Sequence, residues 1–451
     1  MIKKIKHMFL GTYVRGFVTL YALFTLVGAL LLMMPFSLQP GQSLTFIDAL
    51  FVSVSGMSTT GLSTVVVADV LSRVGQIILA FIIQFGGIGL IMLLAFFWLA
   101  SGRNISYRQR QLIVTDQNQV KTAKVVKLVR DILIILFVVE FTMFIIMGTY
   151  LSFKGYFPIG ESFYQSFFLT ISMTANAGFD ITGDSLFRYS NDYWFQSMAM
   201  FLMVTGAVGF WPLVELKDYF VAKFKKQKFE FSLFSKILIY MHIALWIAGA
   251  LIILIIEQDN FFVGKSIIEQ IYYSVFMSIT TRNAGFATMD VAQLSDSILI
   301  LFAGLMFIGS SPNSAGGGIR TTTFLVVLAS IFSFSISRDQ VVIEHKSIRP
   351  HTVMKSLIVI IMAFFVVFTS TFLILTLDDV TLKQALFEVA SAFGTTGLSL
   401  GITASLNPFS KIIIIATMFI GRIGIVALLL YLQEGKNSNK IKYPEYDLIV
   451  G

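Results

Sequence analysis

The 451-residue sequence has no cysteine, only four histidines and only 13% charged residues. Without cysteine there is neither a disulfide framework nor thiolate chemistry. His7, His242, His345 and His351 show no ligand spacing with acids, and no paired-carboxylate motif lies inside an apolar run. An enzyme, or a metal site beyond a transported monovalent cation, is therefore not expected. No nucleotide-binding fingerprint occurs either, so regulation by nucleotide would need a separate subunit. No cleavable signal peptide is expected, because Met1–Gly16 runs straight into a full-length apolar span. A soluble chain carries about 25% charged residues, so roughly half the usual charge is missing.

What is present instead is apolar: 56% of the residues are hydrophobic and the mean hydropathy is +0.82. Phe17–Phe36 and Leu357–Leu377 contain no charge, while Ile132–Leu151 and Ile237–Ile256 carry one ionisable residue each, Glu140 and His242. A helix of about 20 residues matches the roughly 30 Å hydrocarbon core of a bilayer. The pattern predicts an all-α integral membrane protein. The net charge of +8 is gathered in alternate connections: Lys3, Lys4, Lys6 and Arg15, then Arg103–Arg130, Lys217–Lys236, Arg338–Lys355, and Lys436, Lys440 and Lys442. Five stretches hold 24 of the 33 Lys and Arg residues, which is the positive-inside pattern rather than a nucleic-acid surface. Both termini are expected on the cytoplasmic side of the cell membrane, with an even number of crossings.

Four short segments resemble one another and end at Leu62, Phe179, Phe286 and Leu398. Their glycines, Gly61, Gly178, Gly285 and Gly397, are spaced 117, 107 and 112 residues apart. Asp48–Ser63 and Gln384–Ser399 share nine of sixteen positions. Each copy follows a full apolar span and about 12 semi-apolar residues: Phe46–Met57, Phe163–Thr174, Gln270–Thr281 and Leu382–Phe393. Such a helix is about 18 Å long, enough to reach the midplane and too short to cross. A second span follows each motif, at Gly75–Ala100, Tyr193–Leu216, Ile298–Ile336 and Ile412–Leu432. The predicted fold is four repeats of outer helix, re-entrant half-helix with extended loop, and inner helix, giving eight full spans around a central pore. The units are 14–101, 128–220, 234–338 and 355–433, with a cytoplasmic tail at 434–451. Glycines recur in the inner spans at 86–90, 206–210 and 421–425; they fit close helix packing, or a kink beneath a pore.

Non-helical backbone at membrane depth is tolerated only where protein buries it or a watery cavity receives it. The candidate ion-binding residues are Thr59, Thr60 and Gly61; Asn176, Ala177 and Gly178; Asn283, Ala284 and Gly285; and Thr395, Thr396 and Gly397. Small side chains let backbone approach a ligand, and glycine takes the positive-φ conformations that align successive carbonyls. Carbonyl rings can replace the hydration shell of an alkali ion, and inward-running half-helices would point their negative ends at it.

This pattern resembles the Ktr/Trk/HKT superfamily of potassium transporters over essentially the whole chain, and its size resembles a bacterial KtrB-type membrane subunit. The resemblance implies a potassium-selective filter at those twelve residues, a homodimer in the lipid bilayer, and a KtrA-like cytosolic nucleotide-binding ring as regulatory partner. No cofactor is implied, only potassium as the transported ion. Relatives that prefer sodium can carry serine at the first filter glycine, which here is Gly61. The motifs lack the Val-Gly-Tyr of true potassium channels, so sodium passage and sodium dependence stay open, as does a less selective sodium and potassium transporter. An alternating-access secondary transporter fits less well, because its repeats are usually two-fold.

The third inner span is interrupted at 309–323, which contains Gly309, Pro312, Gly316, Gly317, Gly318 and Arg320. Three glycines and a proline cannot hold a regular helix. The segment is either a packed break or, as the resemblance implies, a flexible plug under the filter. Arg422 in the fourth inner span should face a partner or water. The resemblance implies a barrier in the ion path; pairing with Glu140, Glu388 or backbone carbonyls is the alternative. Asp69, Asp180, Asp184 and Asp290 follow three of the motifs, either to gather cations or to cap local structure.

Overall fold

The computed structural model describes residues 13–89, 92, 95 and 125–432. The basic segments expected at Lys3–Lys6 and 103–124, and the tail from 434, lie outside the described residues. The first unit has α1 (Tyr13–Leu32), α2 (Phe46–Met57) and α3 (Arg73–Ile88); the second has α4 (Val125–Phe153), α5 (Ile159–Thr174), α6 (Tyr193–Ala207) and α7 (Phe210–Phe224). The third has α8 (Leu233–Ile256), α9 (Ile267–Thr280), α10 (Asp296–Phe307) and α11 (Thr321–Ser335). After a short hairpin of β1 (Val342–Ile343) and β2 (Lys346–Ser347) come α12 (Pro350–Leu377), α13 (Leu382–Gly394), α14 (Pro408–Ile423) and α15 (Ile425–Leu432).

The outer helices α1, α4, α8 and α12 are long and apolar enough to cross a bilayer, yet within each most hydrophobic segment a third or less is buried by protein. Their outward side chains, such as Leu23, Phe137, Ile247 and Phe368, are exposed. Leaving such a surface in water would forfeit the burial free energy of about 25 cal/mol per Å², so lipid is the solvent of this face.

The half-helices α2, α9 and α13 start where polar side chains satisfy their free amides, whereas α5 starts behind Pro158 with no side-chain cap. Thr45 accepts from the Asp48 N–H, while Ser266 with Glu269 and Thr381 with Gln384 form capping boxes. Two of the four begin earlier than the sequence motif alone indicates, α5 at Ile159 behind Pro158 and α9 at Ile267 behind its capping box.

The second and fourth inner spans are not the continuous helices expected of them. α6 and α7 meet at 105°, and α14 and α15 at 97°. The third is interrupted from Ile308 to Arg320, and Thr321–Thr323 already belong to α11. Each bend has a glycine with positive φ, Gly209 at 103° and Gly424 at 88°, and α3 ends at Gly89 with φ 96°. The other recurring glycine of each motif serves packing. A side chain on Gly86, Gly206 or Gly421 would strike the carbonyl oxygen of Met57, Thr174 or Phe393. Both readings of these glycines therefore hold, one at each position.

Contacts between units run one way around a closed circle. The inner helix of each unit touches the half-helix of the next: α3 with α5, α6 with α9, α10 with α13, and α14 back to α2. The Lys411–Asp48 ion pair at 2.8 Å fastens that closing contact between the fourth and first units.

Candidate functional site

Each half-helix ends in a sharp turn that begins with a left-handed residue: Thr59 (φ 55°), Asn176 (φ 52°), Asn283 (φ 121°) and Thr395 (φ 51°). Two residues later the four glycines are left-handed again, at 96°, 68°, 75° and 102°. Thr60, Ala177, Ala284 and Thr396 between them are not. Alternating handedness turns successive carbonyls toward one side, the arrangement that rings of carbonyl ligands require. A threonine in the left-handed region costs about 1–2 kcal/mol, so these turns persist because neighbours hold them.

The four segments meet. The Ala177 carbonyl lies against Gly61, Ala284 against Gly178, Thr396 against Gly285, and Thr60 against Gly397. A Cβ added to any of the four glycines would fall within 3.1 Å of that oxygen. All twelve sequence-predicted residues are thus brought to one ring. Its threonines, asparagines and alanines are buried, and Gly61, Gly178 and Gly397 keep partial exposure. The half-helices α2, α5, α9 and α13 lead into it carboxyl end first, so four negative dipole ends face it.

Sequence reasoning missed what fixes the ring. Ser55 and Ser391 accept from the Gly61 and Gly397 amides at 3.0 Å, and Ser172 accepts from the Phe179 amide at 3.0 Å. In the third segment Thr280 instead donates to the Phe286 carbonyl at 2.6 Å. The signal was present: in three copies a serine stands six residues before the glycine.

The segment predicted at 309–323 docks directly beneath the ring. The Thr59 hydroxyl donates to the Ala315 carbonyl at 2.6 Å, and the Gly317 amide donates to Thr395 Oγ1 at 2.7 Å. Gly316 lies so close to the Asn283 side chain that no Cβ fits. Three of the four ring segments therefore touch the loop. Its backbone is also fixed to the inner helices, by Ala315 N to the Gly206 carbonyl at 3.1 Å and Gly318 N to the Gly421 carbonyl at 3.1 Å. The Pro312 carbonyl faces Gly209 at the α6–α7 bend. Near the start of the loop the Gly309 carbonyl accepts from Arg282 Nη2 at 2.6 Å, and at its end Arg320 donates to the Gly316 carbonyl.

Arg422 does not pair with either carboxylate considered for it. Its guanidinium donates to the Gly86 and Ala315 carbonyls and to Thr59 Oγ1 at 3.2 Å. Backbone oxygens were the remaining alternative, and they come from α3 and the loop. Glu140 receives Gln84 Nε2 at 2.9 Å instead, and Glu388 is held by Ser399. Among the acids after the motifs, Asp180 accepts from the Thr182 and Gly183 amides, Asp184 pairs with Arg188, and Asp290 accepts from the Ala292 amide. These three serve local turns.

Four re-entrant half-helices converging on a ring of backbone carbonyls, inside a lipid-facing helical bundle, define an ion-translocating membrane subunit. The sequence matches the TrkH family, described as cation transport protein, over residues 15–441, and the chain belongs to that family. It is 43% identical over 432 residues to Ktr system potassium uptake protein D of Bacillus subtilis, covering 96% of this chain and 95% of that one. It is 30% identical over 437 residues to the potassium/sodium uptake protein NtpJ of Enterococcus hirae, covering 94% of each. The crystal structure of the potassium transporter TrkH from Vibrio parahaemolyticus shares the fold, with a TM-score of 0.70 at 19% identity over 92% of this chain and 83% of that one.

Proposed function

We propose that this chain is the potassium-translocating subunit of an uptake system, with the ring Thr59–Gly61, Asn176–Gly178, Asn283–Gly285 and Thr395–Gly397 as its selectivity filter. The observation that carries the reading is the cyclic contact of four left-handed glycines, each against a carbonyl of the neighbouring unit. Carbonyls held that close by buried serines can replace the water around a desolvated alkali cation. Four-fold closure also argues against an alternating-access transporter built on a two-fold repeat. The loop 308–320 is the gate in this reading, since it fills the space below the ring, and Arg422 is its latch. The potassium uptake activity named for the Bacillus subtilis relative supports potassium as the ion. A second reading, passage of sodium together with potassium, is supported by the name of the Enterococcus hirae relative.

Association with a cytosolic nucleotide-binding ring and a homodimeric state belong to the same proposal. The basic segment Lys217–Lys236 after the α6–α7 bend offers such a partner a docking face. The deciding experiment compares potassium, rubidium, sodium and lithium flux into proteoliposomes holding the purified chain. Faster potassium and rubidium entry is expected. Comparable sodium entry would favour the second reading, and no flux of any of the four would overturn both.

A further inference from the structure

Among the buried positions of the four half-helices, one carries a charged side chain. Nine residues before each ring glycine stand Val52, Leu169, Phe276 and Glu388, and all four are at most 1% exposed. Only the fourth is charged. Glu388 makes no ion pair among the described residues. Its oxygens instead accept from the Ser399 hydroxyl, at 3.2 and 2.9 Å, and from the Thr403 hydroxyl. The Ser399 and Thr403 hydroxyls also lie 3.1 Å from each other, and Ser399 accepts from the Gly401 amide at 2.9 Å.

Both donors lie on the stretch that leaves the ring, two and six residues after Gly397. A fully buried carboxylate is costly unless it is hydrogen bonded or paired. Serving α13 alone gives no reason for it, because valine, leucine and phenylalanine fill the same place in the other three units. The carboxylate ties the half-helix to the segment behind Gly397. In its ionised form it has no cationic side chain paired with it among the described residues, so its charge acts on whatever cation occupies the ring.

We propose that Glu388 is a specificity-determining and positioning residue of the cation site: held by Ser399 and Thr403, it makes the fourth filter segment electrostatically unlike the other three and raises the affinity for the permeating cation. The inference rests on the filter reading above. A unit charge at roughly 10 Å, screened by an effective dielectric of about 20, changes affinity by about tenfold.

The test compares Glu388→Gln, Glu388→Asp and Gly397→Ser in the full-length chain, reading KM and relative potassium, rubidium and sodium flux in proteoliposomes. Glu388→Gln keeps shape and removes charge, and a rise in KM for potassium of about tenfold is expected. Glu388→Asp keeps the charge and should stay within about threefold of the wild type. If Glu388→Gln has wild-type KM and flux ratios while Gly397→Ser alters them, the inference falls and the filter reading stands. If neither variant alters them, the filter reading falls as well. Where Glu388→Gln does not yield a monodisperse protein, Ser399→Ala is read in its place. It retains the charge and frees one arm of the tether, so a changed KM with altered flux ratios supports the proposal and wild-type values overturn it.

Discussion

Thr59 and Ala315 stand 256 residues apart and are joined by a hydrogen bond of 2.6 Å from the threonine hydroxyl to the alanine carbonyl. One end is the left-handed residue that opens the first ring segment; the other is the middle of the intramembrane loop. Arg422 reaches both groups at once. Displacing the loop therefore removes part of what holds a strained threonine in place, so ring geometry and loop position are mechanically linked.

Shortening the loop across Ser314–Gly318 removes the carbonyl that Thr59 and Arg422 share. Flux through the isolated chain should rise, and any dependence on a regulatory partner should weaken. A closed-to-open ratio of about 100 corresponds to only about 2.7 kcal/mol, a range that one docked partner can supply. Stopped-flow flux on a monodisperse deletion variant checks this. Unchanged flux would leave the loop as a packed break in a long helix.

Among the described residues, Arg422→Ala removes hydrogen bonds to two carbonyls and one hydroxyl. Charge-assisted bonds contribute about 1.5–3 kcal/mol each, so loss of this latch should favour the open loop and raise maximal flux. Arg422→Lys should behave between the two, because a single ammonium cannot reproduce the planar fork that spans Gly86 and Ala315. Flux measured beside size-exclusion profiles separates the outcomes. Aggregation of Arg422→Ala with normal flux in the surviving protein would make the arginine a structural tie.

Replacing Gly61, Gly178, Gly285 or Gly397 by serine puts a side chain into a left-handed position and against a neighbouring carbonyl. The backbone cost alone is about 1–2 kcal/mol. Selectivity for potassium over sodium should fall in each case. The filter assignment would be falsified if all four variants kept the wild-type flux ratios.

Gly209→Ala tests the bend between α6 and α7. With φ at 103° and the Pro312 carbonyl 3.0 Å from the added methyl, the variant should lose about 1–2 kcal/mol of stability. Gly160→Ala, in α5 with open space around it, should be neutral or stabilising by a few tenths of a kcal/mol. Thermal unfolding of the two variants in detergent gives the comparison, and equal midpoints would contradict the strain assigned to Gly209.

The parts of this molecule written in local pattern could be read from the sequence. Phe46–Met57 is a half-helix with the expected bounds because its length, its apolar content and the glycine motif after it lie within sixteen residues. The ring follows from the register of four such motifs. The bends of the inner helices were only one of two readings of the glycines at 206–210 and 421–425, since a glycine serves packing and kinking equally well at that level. Arg422 shows a different gap. Two of its acceptors are backbone oxygens, of Gly86 and Ala315, 336 and 107 residues away in sequence, and no side-chain pattern announces a carbonyl. Glu388 was visible as a charge in a half-helix, but its partners lie across the turn on Ser399 and Thr403.

The return contact of α14 onto α2 means that the circle is closed by one polypeptide rather than by four copies of a shorter one. In a cyclic homotetramer every substitution is made four times, and a device needed once has to be tolerated everywhere. Here drift can act on one quadrant at a time. Two quadrants open their turns with threonine and two with asparagine, one half-helix buries a carboxylate, and one inner helix surrenders its middle to a loop. Each quarter of the axis can therefore differ from its neighbours, and a division of labour around the ring is the outcome.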